Sequence, residues 1–407
     1  MIIKIIANFP DVLDGKRDMR FACLANMLTA RGHNVELIIS DYDHEVKDIR
    51  KRDDYSAYDF RITSLHEPAY PNNLSLKRLY AHYVWGKGVG RYLDSLSNVP
   101  DVLYVPIPSL TVAREAARYC KNHPSCKYVV DIQDLWPEAF QMVVKNTLLK
   151  KAFFPFSVYV NKAYRNADLV IGVSDTYRDR ALSVNNKCKD GLTVYLGNDG
   201  GLFDEGKKLY HVEKPENEFW LAYIGTMGYS YDLNCIVDAI RIVNERGRVE
   251  KKLKFVAMGR GPLLEEFKAY ANKSGIDYEF TGALPYQEMV GKMCSCDVVM
   301  NCIKPGAAQS VTNKVGDYAL SGLPVINTQE NQEYRHLVEE YKCGINCECG
   351  NSIEVANAIE KLAMNADLRE AMGLLARKLG VDKFDRRVTY LQIVNALEKL
   401  VSLKSDI

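Results

Sequence analysis

The densest chemistry in the chain lies between Lys304 and Thr328, K-P-G-A-A-Q-S-V-T-N-K-V-G-D-Y-A-L-S-G-L-P-V-I-N-T. An apolar run, Val298-Val299-Met300, precedes it as a predicted buried strand, and Pro324-Val325-Ile326 begins the next. Between them the sequence predicts a helix opened by Ser310 and Thr312 and closed by Gly322. Free amides at a helix start favour an anion, and Lys314 adds a full positive charge. Asp317, one turn beyond Asn313, could accept from two hydroxyls of a sugar ring. Gln309, Ser310, Val311, Thr312, Lys314 and Asp317 therefore read as a place for a diphosphate with a ribose beside it. The plainer alternative is a capped surface helix with Lys314 and Asp317 as an i,i+3 ion pair.

These residues need strands and helices to hold them, and the pattern supplies both. Ile2–Ala7, Val35–Ile39, Val102–Val105, Tyr128–Ile132, Asp168–Val173 and Leu192–Leu196 read as strands. A helix with Phe21, Leu24, Ala25 and Leu28 on one face separates the first two. The strand at Tyr128–Ile132 ends in D-I-Q-D-L-W-P-E, placing Asp131, Asp134, Trp136 and Glu138 at an edge where open α/β sheets meet ligands. Residues 204–218 are charged and aperiodic and read as a linker. Four strand–loop–helix units follow, with loops Gly225-Thr226-Met227-Gly228, Gly259-Arg260-Gly261-Pro262 and Gly282-Ala283-Leu284-Pro285. The expected class is α/β with two doubly wound Rossmann-like domains. Their expected limits are 1–203 and 219–385, with a helix at 386–407 crossing back to the first domain.

The order of these elements resembles that of retaining glycosyltransferases with the GT-B fold, family four. Gln309 and Asp317 are spaced as the E-x7-E element of that family, and D-L-W-P-E resembles a subgroup that builds bacterial capsular, exopolysaccharide or O-antigen chains. The resemblance implies transfer of a sugar from a nucleotide diphosphate sugar, a uridine diphosphate donor being expected, in a cleft between two domains. The anion-binding helix start at Ser310 and the lack of a D-x-D element point to no metal, and the resemblance implies a polyprenyl-linked saccharide acceptor, met at the inner face of the cell membrane by a cytoplasmic, peripheral enzyme. Family members commonly hold the diphosphate with an Arg and a Lys after the first strand of the second domain. Thr226 and Asp232 stand there in this chain. The expectation moves to the amides of Gly225, Thr226 and Gly228 and the helix start, with Lys304, Lys314, Arg260 and Lys16 as candidate charges and Leu284 alongside. Gly15 matches the first of a family glycine pair and Lys16 replaces the second. Asp134 is the expected acceptor-activating group, with Gly15, Lys16, Asp131, Trp136 and Glu138 around it. Replacement of the family's groups at Thr226, Asp232 and Gln309 keeps two alternatives open, a nucleotide-sugar epimerase of similar fold and a non-catalytic nucleotide-sugar-binding protein.

Composition narrows the classes further. The chain has 407 residues, 26% of them charged, with a formal net charge of +1, which gives no sign of a nucleic-acid binder. Residues 1–200 hold 27 Lys and Arg against 23 Asp and Glu, whereas residues 201–407 hold 26 against 29. Eleven scattered cysteines suggest neither a disulfide framework nor a zinc set. The opening apolar run is too short for a secretory signal, and no run is long enough to span a bilayer. Asn73–Tyr92 and Ala139–Ala167 combine apolar or aromatic residues with cations and contain no acid. Tyr80, Tyr83, Leu148, Phe153 and Phe156 then either face an anionic membrane surface or pack into the core.

Overall fold

The structure, a computed structural model, describes residues 1–8, 19–44, 46–50, 55–72, 75–135, 154–307 and 311–402. The chain divides into two compact units, one of Met1–Tyr195 with Tyr390–Ile407 and one of Leu196–Thr389. The first runs β1 (Ile2–Ala7), α1 (Arg20–Ala30), β2 (Asn34–Ser40), β3 (Tyr42–Asp43), β4 (Asp48–Ile49), β5 (Arg61–Leu65), α2 (Leu76–Asp94), β6 (Val102–Ile107), α3 (Leu110–Asn122), β7 (Lys127–Ile132), α4 (Phe154–Arg165), β8 (Leu169–Gly172), α5 (Asp175–Leu182) and β9 (Leu192–Thr193). Seven strands form one parallel sheet in the order β5-β2-β1-β6-β7-β8-β9. Continuous apolar strands such as Ile2–Ala7 suit a sheet covered on both faces. One face buries Trp85, Val89 and Leu93 of α2 against α3, and the other buries Phe21, Leu24 and Leu28 of α1.

The second unit runs α6 (Gly200–Leu209), β10 (Glu218–Ile224), α7 (Leu233–Arg246), β11 (Lys252–Met258), α8 (Leu264–Lys273), β12 (Asp277–Gly282), α9 (Tyr286–Cys294), β13 (Val298–Asn301), α10 (Lys314–Ser321), β14 (Val325–Asn327), α11 (Gln332–Glu340), β15 (Gly344–Asn346), α12 (Ser352–Met364) and α13 (Ala366–Leu379). Its six strands are all parallel, in the order β12-β11-β10-β13-β14-β15. A π-helical turn, Gly380–Phe384, leads to α14 (Arg386–Ser402), which begins in the second unit and ends in the first. There Tyr390, Ile393, Val394 and Leu397 join the core of the first unit.

Three expectations need correcting. The stretch 204–218 does not begin as a linker, because α6 occupies Gly200–Leu209 and the units divide earlier, after Tyr195. Asp199 caps α6 by accepting from the amides of Gly201 and Leu202. Arg377 binds Asp204 at 2.7 Å, and Gly206 lets the helix approach Gln287 closely. The helix expected from Ser310 or Thr312 instead starts at Lys314, with no side-chain cap. The amides of Val315 and Gly316 bond three residues back, to Thr312 and Asn313, so the entry is a tight 3₁₀-like turn. Its end is as expected, since Gly322 is left-handed at φ 72°. Finally, the strand expected at Leu192–Leu196 pairs only over Leu192–Thr193.

Candidate functional site

In the second sheet the chain leaves β10 toward β11 on one side and returns as β13 on the other. Such a reversal is where open α/β sheets bind ligands, beyond the carboxyl ends of the strands. The loops after β10 and β13 border this point and are tied together. Asp232 N–H donates to the Cys302 carbonyl at 3.2 Å, and Lys304 N–H donates to that of Ser230 at 2.9 Å. The loop after β11 supports the first of them. Met227 N–H donates to the Arg260 carbonyl, and a Cβ on Gly259 would lie 1.9 Å from the Gly225 oxygen. Only glycine at 259 allows this approach. The amides of Thr226, Gly228 and Tyr229 donate to nothing among the described residues.

Lys314, the first residue of α10, reaches into this corner. Its side chain is buried and its Nζ lies 3.1 Å from the Tyr223 hydroxyl, 3.7 Å from the Tyr231 ring centroid and 4.3 Å from that of Tyr223. A Cβ on Gly225 would come within 3.3 Å of the same Nζ, so the ammonium lies against the loop backbone. No carboxylate pairs with it among the described residues. Burial without an acid pushes the Lys314 ammonium down to about 7. The i,i+3 pair with Asp317 does not form. Nearby, the Thr312 hydroxyl is buried and makes no hydrogen bond among the described residues.

Asp317 faces another way. It is buried and accepts from Asn198 Nδ2 at 2.5 Å and from the Tyr286 hydroxyl at 2.7 Å. Asp232, at the position of the missing family cation, caps α7 by accepting from the Cys235 amide. Arg260 is exposed and Lys304 half-buried, and neither side chain has a partner among the described residues. Leu284 is half-buried in the loop between β12 and α9, Val311 is buried, and Thr226 is exposed. Gln309 and Ser310 lie outside the described residues.

On the first unit, Asp131 is not a free acid. Arg20 from α1 grips it through Nε at 2.7 Å and Nη2 at 2.9 Å, and both side chains are buried. Arg20 also donates to the carbonyls of Val194 and Tyr195 and to the Tyr390 hydroxyl. Asp131 thus joins α1, β7 and α14 and belongs to the frame. Asp134, two residues beyond β7, is partly exposed. Gly15, Lys16, Trp136 and Glu138 lie outside the described residues, as does most of Ala139–Ala167. On α2, Tyr80 and Tyr83 are exposed while Trp85 is buried, so the aromatics of that helix divide between surface and core.

Two features escaped the sequence reading. Glu67, two residues past β5, is buried at the same carboxyl edge of the first sheet and accepts from Ser40 Oγ at 2.5 Å. Burial, opposed by its hydrogen bonds, raises its carboxyl to about 7. In the second sheet, Asn301, Asn327 and Asn346 end three neighbouring strands in register and pass amide bonds of 2.8 Å across the edge. A signal was present, since each asparagine follows an apolar strand, but only the register aligns them.

Residues 218–365 match the family model described as "Glycosyl transferases group 1". The second unit carries a glycosyl transferases group 1 domain. No curated protein matches the sequence. Among solved structures, sucrose-phosphate synthase from Thermosynechococcus elongatus aligns over 99% of both chains at 15% identity, with a TM-score of 0.71. Anabaena HepE in complex with UDP aligns over 98% of this chain and all of its own, at 15% identity and a TM-score of 0.67. WaaG, a glycosyltransferase involved in lipopolysaccharide biosynthesis, covers 98% of this chain and 99% of its own at 15% identity and 0.61. The fold is that of GT-B glycosyltransferases, spanning essentially the whole chain.

Proposed function

We propose that the protein is a retaining glycosyltransferase that moves a sugar from a uridine diphosphate sugar to a lipid-linked saccharide in bacterial surface polysaccharide assembly. The observation that carries this is Lys314, a buried ammonium without an acid, held by Tyr223 and Tyr231 against the Gly225 loop at the switch point of the second sheet. A buried cation without a counter-ion is costly, and a diphosphate supplies the missing charge. The unbonded amides of Thr226, Gly228 and Tyr229 add donors for its oxygens. Lys314 thereby takes over from the cations absent at Thr226 and Asp232. Asp317 receives the ribose hydroxyls in place of Asn198 or Tyr286. The UDP bound to HepE and the family match of the second unit agree with a nucleotide-sugar donor.

The reaction follows from where charge appears. As the bond from sugar C1 to the diphosphate oxygen breaks, negative charge builds on that oxygen, and Lys314 with the loop amides is fixed in place to stabilise it. An acceptor hydroxyl attacks C1 on the face the diphosphate leaves, which retains configuration without a protein nucleophile. Its proton passes to the departing phosphate oxygen or to Asp134. The acceptor is received by the more basic first unit, peripherally on an anionic membrane, and no metal takes part.

Calorimetry with UDP and GDP, each with and without chelator, tests the donor half. UDP should bind equally in both conditions and GDP more weakly. A strict requirement for a divalent ion removes the metal-free mechanism, and a preference for GDP removes the base assignment. Asp134→Asn should leave UDP affinity unchanged and slow transfer to a lipid-linked acceptor. Donor consumption without any acceptor would instead identify an epimerase.

A further inference from the structure

Away from the strand ends that carry the donor chemistry, two of the eleven cysteines touch. Cys120 lies in the last turn of α3, Cys126 directly precedes β7, and their sulfurs are 3.5 Å apart. Thiols elsewhere use their hydrogen differently. Cys188, Cys296, Cys343 and Cys349 donate to the backbone carbonyls of Asp190, Lys292, Val338 and Ile303. An S–H is a weak donor and sulfur a weak acceptor, so hydrogen bonding alone gives little reason to set two thiols together.

The turn between them holds both ends in place. His123 N–H donates to the Tyr119 carbonyl at 2.9 Å, and Cys126 N–H donates to that of His123 at 2.8 Å. The His123 ring stacks on Tyr119 with centroids 4.1 Å apart. A disulfide brings its sulfurs to about 2.05 Å. Closing from 3.5 Å asks for side-chain rotation and a small shift at a helix end, and leaves the sheet as it is.

Buried thiols are inert where nothing reaches them. Here both cysteines line an open cavity of about 600 Å³ at the amino edge of the first sheet, where Cys126 precedes β7 and Asp168 precedes β8. Cys120 is 9% exposed and Cys126 2%, so a small oxidant meets the pair from one side. Lys121 and Lys162 line the same cavity, and a cation near a thiol favours the thiolate, the form that reacts.

We propose that Cys120 and Cys126 are a reversible oxidation site, which closes to an internal disulfide on reaction with a peroxide. The Cys120 S–H donates to Cys126, and that contact together with burial pushes the Cys120 thiol up. The proton therefore stays on Cys120, and Cys126 is the sulfur that attacks first. Its thiolate breaks the O–O bond and takes one oxygen as a sulfenic acid, while the other leaves as hydroxide and gains a solvent proton to become water. Cys120 then attacks the Cys126 sulfur. The S–S bond forms, the S–O bond breaks, and the departing hydroxide carries off the Cys120 proton as a second water. Two electrons pass from the thiols to the peroxide, and a dithiol reductant returns them by exchange.

The full chain, folded and reduced, is treated with a small excess of hydrogen peroxide, then unfolded in an alkylating agent and digested with trypsin. Trypsin cuts after Arg118, Lys121 and Lys127, which places Cys120 in peptide 119–121 and Cys126 in peptide 122–127. A disulfide joins these into one species, two hydrogens lighter than their sum. That species should appear while Cys23 and Cys188, half-buried thiols of the same unit, are still alkylated. Dithiothreitol before alkylation should abolish it. In Cys120→Ser the sulfenic acid has no thiol to resolve it, so a dimedone adduct on Cys126 should rise several-fold over the parent. The parent digest decides by itself if the serine variant fails to fold. Alkylation of both positions after Cys188 has been oxidised, or sulfinic acid at either without the joined species, overturns the proposal.

Discussion

Two buried cations, Arg20 in the first unit and Lys314 in the second, have opposite surroundings. Arg20 is saturated, with both oxygens of Asp131, two carbonyls and the Tyr390 hydroxyl around it. Lys314 has one tyrosine hydroxyl and two aromatic faces. A buried charge with every partner present holds a fold together, whereas one lacking its counter-ion is kept at a cost that a ligand can remove. Burial alone would have flagged both residues equally. Partner count separates frame from site.

The largest expected effect breaks the saturated pair. Arg20→Met leaves the Asp131 carboxylate buried without a counter-ion, held by the Gln133 Nε2 donor at 3.2 Å, and should destabilise the chain by about 3–5 kcal/mol in urea unfolding. UDP affinity of the folded fraction should stay at the parent value. A loss of only a few tenths of a kcal/mol would show that Asp131 finds other partners.

The same substitution type at Lys314 should act with the opposite sign. Its ammonium titrates near 7 in the folded chain and near 10.5 when unfolded. Between those values the unfolded chain holds the extra proton, so stability is lowest below pH 7 and rises as pH climbs toward 10.5. Lys314→Met should therefore stabilise the free protein by about 2–4 kcal/mol at pH 6 and flatten that rise. It should also weaken UDP by about 1.5–3 kcal/mol, the scale of hydrogen bonds to a charged group. Stability unchanged with binding intact would mean the ammonium reaches water and meets no phosphate.

Much of this frame was legible in the sequence, because the continuous apolar strands and the periodic helices between them specify two parallel sheets locally. Gly322 closed its helix where expected, since a left-handed turn at a helix end favours glycine. Helix α6 was illegible for a local reason. G-G-L-F-D-E-G-K-K-L has three glycines and little periodicity, and the Asp199 cap with packing against α9 makes it helical. Lys314 could be suspected from the sequence, but its cage could not. Tyr223 lies near the end of a strand 91 positions earlier, and only the fold brings it to Nζ. Glu67 gave no signal, because the loop after an edge strand says nothing about burial.

Glu67 sharpens the contrast from the acidic side, with a smaller effect. Its carboxyl titrates near 7 folded against 4.5 unfolded, so the folded chain holds the proton between these values. This stability contribution is complete below pH 4.5 and is lost as pH rises through 7. Glu67→Gln should be near neutral at pH 4.5 and stabilise by about 2–3 kcal/mol at pH 8, read from unfolding at both values. A constant difference across pH would mean that Glu67 ionises in the folded chain as it does unfolded.

The smallest effect on stability is expected on α2, where one helix carries both kinds of aromatic residue. Trp85 is fully buried, whereas Tyr80 is 63% and Tyr83 49% exposed, in a stripe with exposed Leu76 and Leu79. Positions 76, 79, 80 and 83 share one helical face. No acid occurs between Glu67 and Asp94, and Lys77 and Arg91 are exposed on the same helix. Apolar side chains left in water beside uncompensated cations suit the headgroup region of an anionic leaflet, where each cation adds on the order of 1 kcal/mol. Tyr80→Ser with Tyr83→Ser removes no buried packing, so stability should stay within about 0.5 kcal/mol of the parent. Recovery with vesicles rich in phosphatidylglycerol should nonetheless fall, and it should fall for the parent as salt is raised, since surface attraction is screened within about 10 Å at 0.1 M. Equal recovery of parent and variant would place membrane contact elsewhere on the chain, and a large stability loss would show that the two tyrosines pack as Trp85 does.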